Sequence, residues 1–237
     1  MRSNPNIWPR LRARAACMNR ICPQYEIDNR NEFCHFLAHA CHGTDHFRTL
    51  RDYATGKACE GRRDLGNTQP GDSAKFKGCG ISQTTGRANH LRLGLTSGRR
   101  DMFVNEPQLF EMPEHAVWSA CVYWKTRGLN NAANHDDGDR LKKKYRGRVI
   151  EVSPMEFIGL SINGQVQRHA GAEEVLFDLK AGVVNPDPGI GRQKMHFRAA
   201  IRISDPKNPF LKSTGPKKCR SRKVSFSKSA GPEKCRS

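Results

Sequence analysis

Between Cys34 and His46 the chain places six side chains able to bind a soft or borderline metal: Cys34, His35, His39, Cys41, His42 and His46. On a helix, His35, His39, His42 and His46 recur at i, i+4, i+7 and i+11 and share one face. Imidazoles aligned that way can chelate Zn²⁺ or Cu²⁺. The competing reading is plain helix packing, with the histidines on an inward face. Nine cysteines, at 17, 22, 34, 41, 59, 79, 121, 219 and 235, are an odd number and cannot all pair within the chain. They show no CxxC and no zinc-finger spacing. With no secretory leader in view, reduced thiols are the expectation.

The elements that must carry these groups are legible in outline. Residues 16–30 predict a short helix that stops near Pro23. In 31–42, Phe33, Phe36, Leu37 and Ala40 recur at i, i+3, i+4 and i+7, the buried face of a helix. Residues 61–80 are rich in Gly, Asn, Asp and Pro and predict a long structured loop, a kind of segment that often carries function. A short extended piece follows, with a helix starting after Thr85. Pro113 opens the strongest helix, which runs through Ala116, Val117, Ala120, Cys121 and Trp124 and ends at Gly128. Trp118 and Trp124 lie on its apolar face and are expected in the core. Residues 138–148 form a strongly basic surface excursion, 155–182 resume a helical pattern, and 184–192 read as a linker.

The chain has 237 residues and a formal charge of +18, unevenly spread. Five arginines and no acid stand in residues 1–20, ten Lys/Arg and two acids in 205–237, leaving +5 for everything between. The ends therefore read as basic arms, attracted to polyanions. KSTGPKKCRS (212–221) recurs as KSAGPEKCRS (228–237), nearly devoid of apolar residues, so this tail is expected to be disordered. No apolar run approaches the roughly 20 residues of a membrane helix, and the basic start lacks the apolar middle of a secretory signal. Helix-turn-helix, RRM and zinc-finger patterns are absent, so no sequence-specific nucleic-acid partner is expected.

Three stretches together resemble the bacterial and phage branch of glycoside hydrolase family 19, the chitinases and related endolysins. FLAHACHGTDHF (36–47) is similar to the family's F-L-A-Q-x-x-H-E-[ST]-x-x-F. EGRRDLGNTQPGDSAKFKGCGISQTTGRANH (60–90) is similar to its long Gly-rich motif. SACVYWKTRGLNNAANHDD (119–137) is similar to S-A-x-x-[FY]-W-x-x-x-G-L-N-x-x-A-D. A fainter echo is SINGQ (161–165). The resemblance covers about residues 17–182. It implies a mainly α-helical, lysozyme-like domain of two lobes flanking a cleft for β-1,4-linked N-acetylglucosamine glycan, chitin or peptidoglycan. It also implies inversion: one carboxylic acid protonates the glycosidic oxygen and a second carboxylate, about 6.5–9.5 Å away, activates water.

The family's general acid is the Glu after the motif His, and here that position is Gly43. The second carboxylate falls on Asp52, where the family prefers Glu. Asp45 is a weak substitute for the missing acid. Glu60 matches a motif Glu that orients substrate or water; its alternative is an ion pair with Arg62 or Arg63. The resemblance assigns His42, Asn67, Gln83, Thr85, Arg87 and Asn163 to substrate binding, with structural hydrogen bonds as the competing role and a carboxylate partner inside the cleft expected for Arg87. Cys59, Cys79, His90, His39 and Asn134 also depart from the motif, at polar and aromatic positions, while its glycines are spared. The expectation is a fold retained with its acid lost, weak or inactive in hydrolysis.

The expected organisation is a basic arm over 1–16, the glycosidase-like domain over 17–182, a domain end over 183–204 and the basic tail over 205–237. Expected partners are chitin or peptidoglycan glycan, with anionic envelope polymers on the tail. The chain is expected in the cytoplasm, with holin-type release open to it. No cofactor and no metal are expected. The alternatives are a non-catalytic glycan- or envelope-binding module and a metal-binding protein built on the His/Cys cluster.

Overall fold

A computed structural model describes residues 7–164, and over them the protein is mainly α-helical. The first helix, α1 (Ile7–Ile21), buries Leu11, Arg14, Ala15 and Met18, spaced as one helical face, while Arg10, Arg12 and Arg20 stay exposed. Residues 7–16, expected as a basic arm, are the first turns of this helix, with Arg10 and Arg12 outward and Arg14 in the core-facing stripe. A short 3₁₀ turn, Cys22–Tyr25, follows at Pro23.

Next comes α2 (Arg30–Gly43), which starts with a capping box. Asn29 accepts from the Glu32 amide at 3.0 Å, and the Glu32 carboxylate accepts from the Asn29 and Asp28 amides. Its Phe33, Phe36, Leu37 and Ala40 are buried as the spacing predicts. The long loop contains only the one-turn helix α3 (Asp72–Lys75) and two 3₁₀ turns, Lys57–Cys59 and Arg63–Leu65. Beyond it lie α4 (Arg87–Thr96), α5 (Met102–Asn105) and the 3₁₀ segment Pro107–Glu111.

Pro113 opens α6 (Pro113–Thr126), which faces two cores. Ala116, Val117, Ala120, Cys121 and Trp124 join α1, α2, α7 (Leu129–Ala133) and α8 (Pro154–Asn163). Val122 joins a smaller cluster with Cys79, Leu93, Phe103 and Phe110. Trp124 is fully packed and Trp118 partly so, the core roles expected of them. The basic excursion at 138–148 folds as an antiparallel hairpin, β1 (Leu141–Tyr145) with β2 (Arg148–Val152). Charge had concealed its alternation. No helix among the described residues is long and apolar enough to cross a membrane.

Cys17, Cys22, Cys34, Cys41, Cys79 and Cys121 are not disulfide-bonded, whereas Cys59 is, against the expectation of reduced thiols throughout. The helical pattern beyond residue 164, the domain end at 183–204 and the tail at 205–237 lie outside the described residues.

Candidate functional site

The last two turns of α2 present Phe36, His39, Ala40 and Gly43 to one small hollow of about 30 Å³, open on one side to solvent. Its other walls are Ala120, Tyr123 and Trp124 of α6, Ile81 and Ser82 of the loop, and Ile162 of α8. Phe36 meets Trp124 edge to face at 5.4 Å, and His39 tilts against the same indole at 6.4 Å. The indole Nε1 donates to Asn130 Oδ1 at 2.6 Å, and Asn130 in turn donates to the Tyr25 carbonyl, so this wall is fixed. The Tyr123 hydroxyl donates to the Ser161 carbonyl at 3.0 Å, tying α6 to α8. Burial pushes the Tyr123 phenol above its ordinary range. All ten wall residues fall within the four stretches singled out in the sequence.

Gly43 sits at the end of α2 with open room. A Cβ there would meet only the Ile81 carbonyl, at 3.6 Å, an ordinary contact. No carboxyl lines the hollow among the described residues; its titratable walls are His39 and Tyr123. The helix stops because Thr44 folds its hydroxyl back onto the Ala40 carbonyl at 2.6 Å and accepts from the Phe47 amide. Asp45, His46 and Phe47 then take left-handed backbone in succession, a costly run for residues with side chains. Buried Phe47 and the Arg14 guanidinium, which donates to the Phe47 carbonyl at 2.9 Å, hold that turn. Desolvation lowers Arg14 to about 10. Asp45 does not line the hollow; its carboxylate accepts from Tyr53 at 3.1 Å and pairs with Arg48.

Asp52, Gln83 and Thr85 converge on Gly78. A Cβ on Gly78 would stand 2.9 Å from Gln83 Oε1 and 3.4 Å from both Asp52 Cβ and Thr85 Oγ1. That crowding explains a glycine there. The Asp52 amide donates to the Gly78 carbonyl at 2.8 Å, and its carboxylate, half-exposed, accepts from the Ala54 amide. Gln83, itself left-handed, donates to the Gly80 carbonyl, and Thr85 donates to the Gln83 carbonyl. Asp52 and Gly43 thus border one turn, at its Gly78 and Ile81 positions.

The remaining loop residues are spent on the loop itself. Glu60 pairs with neither Arg62 nor Arg63. Its two oxygens accept from the Gly71 and Ser73 amides at 2.8 and 3.1 Å, closing the start of α3, and bonds from Ser73 and Gly71 hold its pKa low. Arg62 instead binds Asp64. Buried Asn67 donates to the Cys59 carbonyl and accepts from the Arg87 amide. Arg87 grips buried Asp72 with two nitrogens, at 2.9 and 2.5 Å, and lies 4.8 Å above the Phe76 ring; this carboxylate belongs to the loop and does not line the hollow. The guanidinium holds Asp72 below the usual carboxylate range. Asn67 and Arg87 thus make structural hydrogen bonds, the competing role, while Glu60 makes neither of its expected ion pairs. His42 is half-buried on α2 outside the hollow, and Asn163 ends α8, its side chain outside the described part.

Among the described residues no group of three or more His, Cys, Asp or Glu could hold a metal ion. The helix ends at Gly43, so His46 leaves the shared face and joins the left-handed turn. The sequence reading also missed the relation between Cys79 and His90, which lie 3.5 Å apart in the smaller core. His90 Nδ1 is 2.9 Å from the Gly86 carbonyl, so Nε2 is left to accept from the thiol. Desolvation lifts Cys79 to about 12 and drops His90 to about 4, making this a neutral packed pair. Tyr123, Ile81 and Ser82 were likewise passed over, although each lies inside a quoted motif.

No family model matches the chain. Among solved structures, chitinase C from Streptomyces griseus HUT6037 is similar, with a TM-score of 0.42 and 16% sequence identity over 73% of this chain. The match spans 60% of that chitinase's length.

Proposed function

We propose that this chain is a chitinase-like, lysozyme-like glycan-binding domain, derived from an inverting hydrolase of β-1,4-linked N-acetylglucosamine polymers and weak or inactive in hydrolysis. The observation that carries the reading is the hollow. Residues from four separated motif stretches, 36–47, 60–90, 119–137 and 161–165, supply every one of its walls. Chitin and peptidoglycan share the sugar unit and are both candidate ligands, while the basic tail would favour anionic envelope polymers.

The missing chemistry is equally specific. Glycosidic cleavage needs a proton on the leaving oxygen, and an apolar wall is what raises a carboxyl's pKa enough to keep that proton. The hollow offers the wall at Gly43 but no acid. Asp52, on the other side of the 78–85 turn, is the carboxylate left to activate water. Binding can survive because most contacts to a sugar chain lie away from the reacting bond.

The test is hydrolysis and binding of soluble chitin oligomers and purified peptidoglycan by the natural chain beside Gly43→Glu. The expected result is binding by both and turnover only by Gly43→Glu, at least 10²-fold above the natural chain, the order general acid catalysis supplies. If neither chain binds either glycan, the reading is wrong. If the natural chain already turns over at the level of Gly43→Glu, the acid lies elsewhere, with Asp45 and Glu60 the next to replace.

A further inference from the structure

Once the two ends are set aside, the charge of the molecule sits in one place. Residues 140–152 hold six Lys/Arg and a single acid, a net +5, which equals the whole net charge of residues 21–204. The rest of that stretch therefore sums to zero. Outside the ends, the excess positive charge is therefore concentrated on the β1–β2 hairpin, at +4, and on Arg140 just before it.

The hairpin's register sorts its side chains by face. Leu141 pairs with Val152 and Lys143 with Ile150, and this face turns toward α8. Val152 is buried; the Lys143 ammonium lies 4.0 Å above the Phe157 ring and donates to Ser161 Oγ at 2.6 Å. The opposite face carries Lys142 across from Glu151, and Lys144 across from Val149. All four are exposed. At the tip, Tyr145 and Arg148 close a two-residue turn of Arg146 and Gly147, with φ of 46° and 81°. Positive φ at both positions is the pattern of a type I′ turn, which Asn-Gly closes with less strain than Arg-Gly. An arginine nevertheless stands there, stacked 5.2 Å from the Tyr145 ring. Arg140, Lys142, Lys144, Arg146 and Arg148 are all exposed.

We infer that this hairpin is a sequence-independent binding element for duplex nucleic acid, entering the major groove and contacting phosphates on its two walls. Two strands about 4.8 Å apart, with their side chains, make a ribbon on the order of 10 Å across. The major groove is about 12 Å wide and admits such a ribbon. The cations lie on the outer face, at the tip and on the second strand. Charge on several sides suits a groove, whereas a planar anionic bilayer calls for one flat charged face. The outer face holds no Asn, Gln or Arg aimed as a bidentate reader of base edges, so the contacts are to backbone. This role is independent of the glycan reading, because the hairpin contributes no wall to the hollow.

The experiment compares the full chain with its Lys142→Gln/Lys144→Gln/Arg146→Gln/Arg148→Gln variant. Binding to a labelled mixed-sequence 20-base-pair duplex is followed by anisotropy between 50 and 200 mM salt. Each lost phosphate contact should reduce the slope of log K against log salt by about 0.9, so the variant should be shallower by about 3–4. An unchanged slope, with the ends doing all the binding, overturns the inference. An equal loss on heparin or on 1:3 phosphatidylglycerol–phosphatidylcholine vesicles also overturns it, by showing charge without a groove. Thermal melting checks the fold. Should the fourfold variant fail to fold, Lys142→Gln/Lys144→Gln, confined to the outer face, should still lower the duplex slope by about 2, and no change there overturns the inference.

Discussion

The hollow beside Gly43 draws its walls from four motif stretches and the loop over residues 59–87 lies almost wholly in one of them, and the two use polar residues in opposite ways. In the loop, Glu60, Asn67, Asp72 and Arg87 all close on partners inside the loop or at the start of α4. In the hollow the walls are mainly apolar, and the helix ends in a glycine with room beside it. The hydrogen bonds that hold the scaffold are therefore made in the loop and not at position 43. A glycine at 43 strands no buried partner, whereas removal of a loop residue such as Asp72 does.

This contrast can be broken most directly at Asp72. Asp72→Ala strands the Arg87 guanidinium against the Phe76 ring and should cost about 3 kcal/mol of unfolding free energy in urea, as broken buried pairs do. Arg87 holds the Asp72 carboxyl low, so the unfolded chain takes up that proton more readily than the folded one. The stabilisation is complete above the ordinary carboxylate range and lost as pH falls through the folded value. Asp72→Asn should accordingly flatten the acid limb of the stability curve. An Asp72→Ala protein as stable as the natural one would show that the loop is not the rigid partner.

A smaller effect is expected at His90, which underlies the same loop against Phe76 and Phe110. Burial drops its pKa to about 4, while the unfolded imidazole titrates near 6.5. Between these values only the unfolded chain binds the proton. Stability is full above about pH 6.5 and falls by on the order of 3 kcal/mol toward pH 4. His90→Phe should abolish that slope in pH-dependent melts; a slope unchanged in the variant would place its origin elsewhere. The smallest effect should come at Gly43. Gly43→Ala meets only an ordinary contact at the Ile81 carbonyl and should raise stability by about 0.5 kcal/mol through helix propensity. A loss exceeding 1 kcal/mol, read by urea unfolding, would mean that the hollow is strained rather than open.

Much of the helical frame could be read from local pattern. The α2 stripe, Pro113 at the start of α6, Gly128 just past its end and the helix after Thr85 all follow from apolar period and end signals, which are decided within a few residues. Two elements could not. The arginines of α1 masked a core-facing stripe, because composition averages over faces that a helix separates. The lysines of β1 masked an alternation whose inward member, Lys143, is accommodated only by the Phe157 ring and Ser161.

The sequence by itself determined the helix stripes, the turn glycines, the concentration of charge and the motif positions, including the glycine at 43. Those are properties of residue type and spacing along the chain. Tertiary structure alone decided which motif residues are consumed by the fold. Glu60 serves the Gly71 and Ser73 amides, Asn67 joins Cys59 to Arg87, and Arg87 grips Asp72. A side chain's role depends on the partners that folding brings within 3 Å, and residues such as Arg14 and Phe47, or Asp72 and Arg87, become neighbours only once the chain has folded.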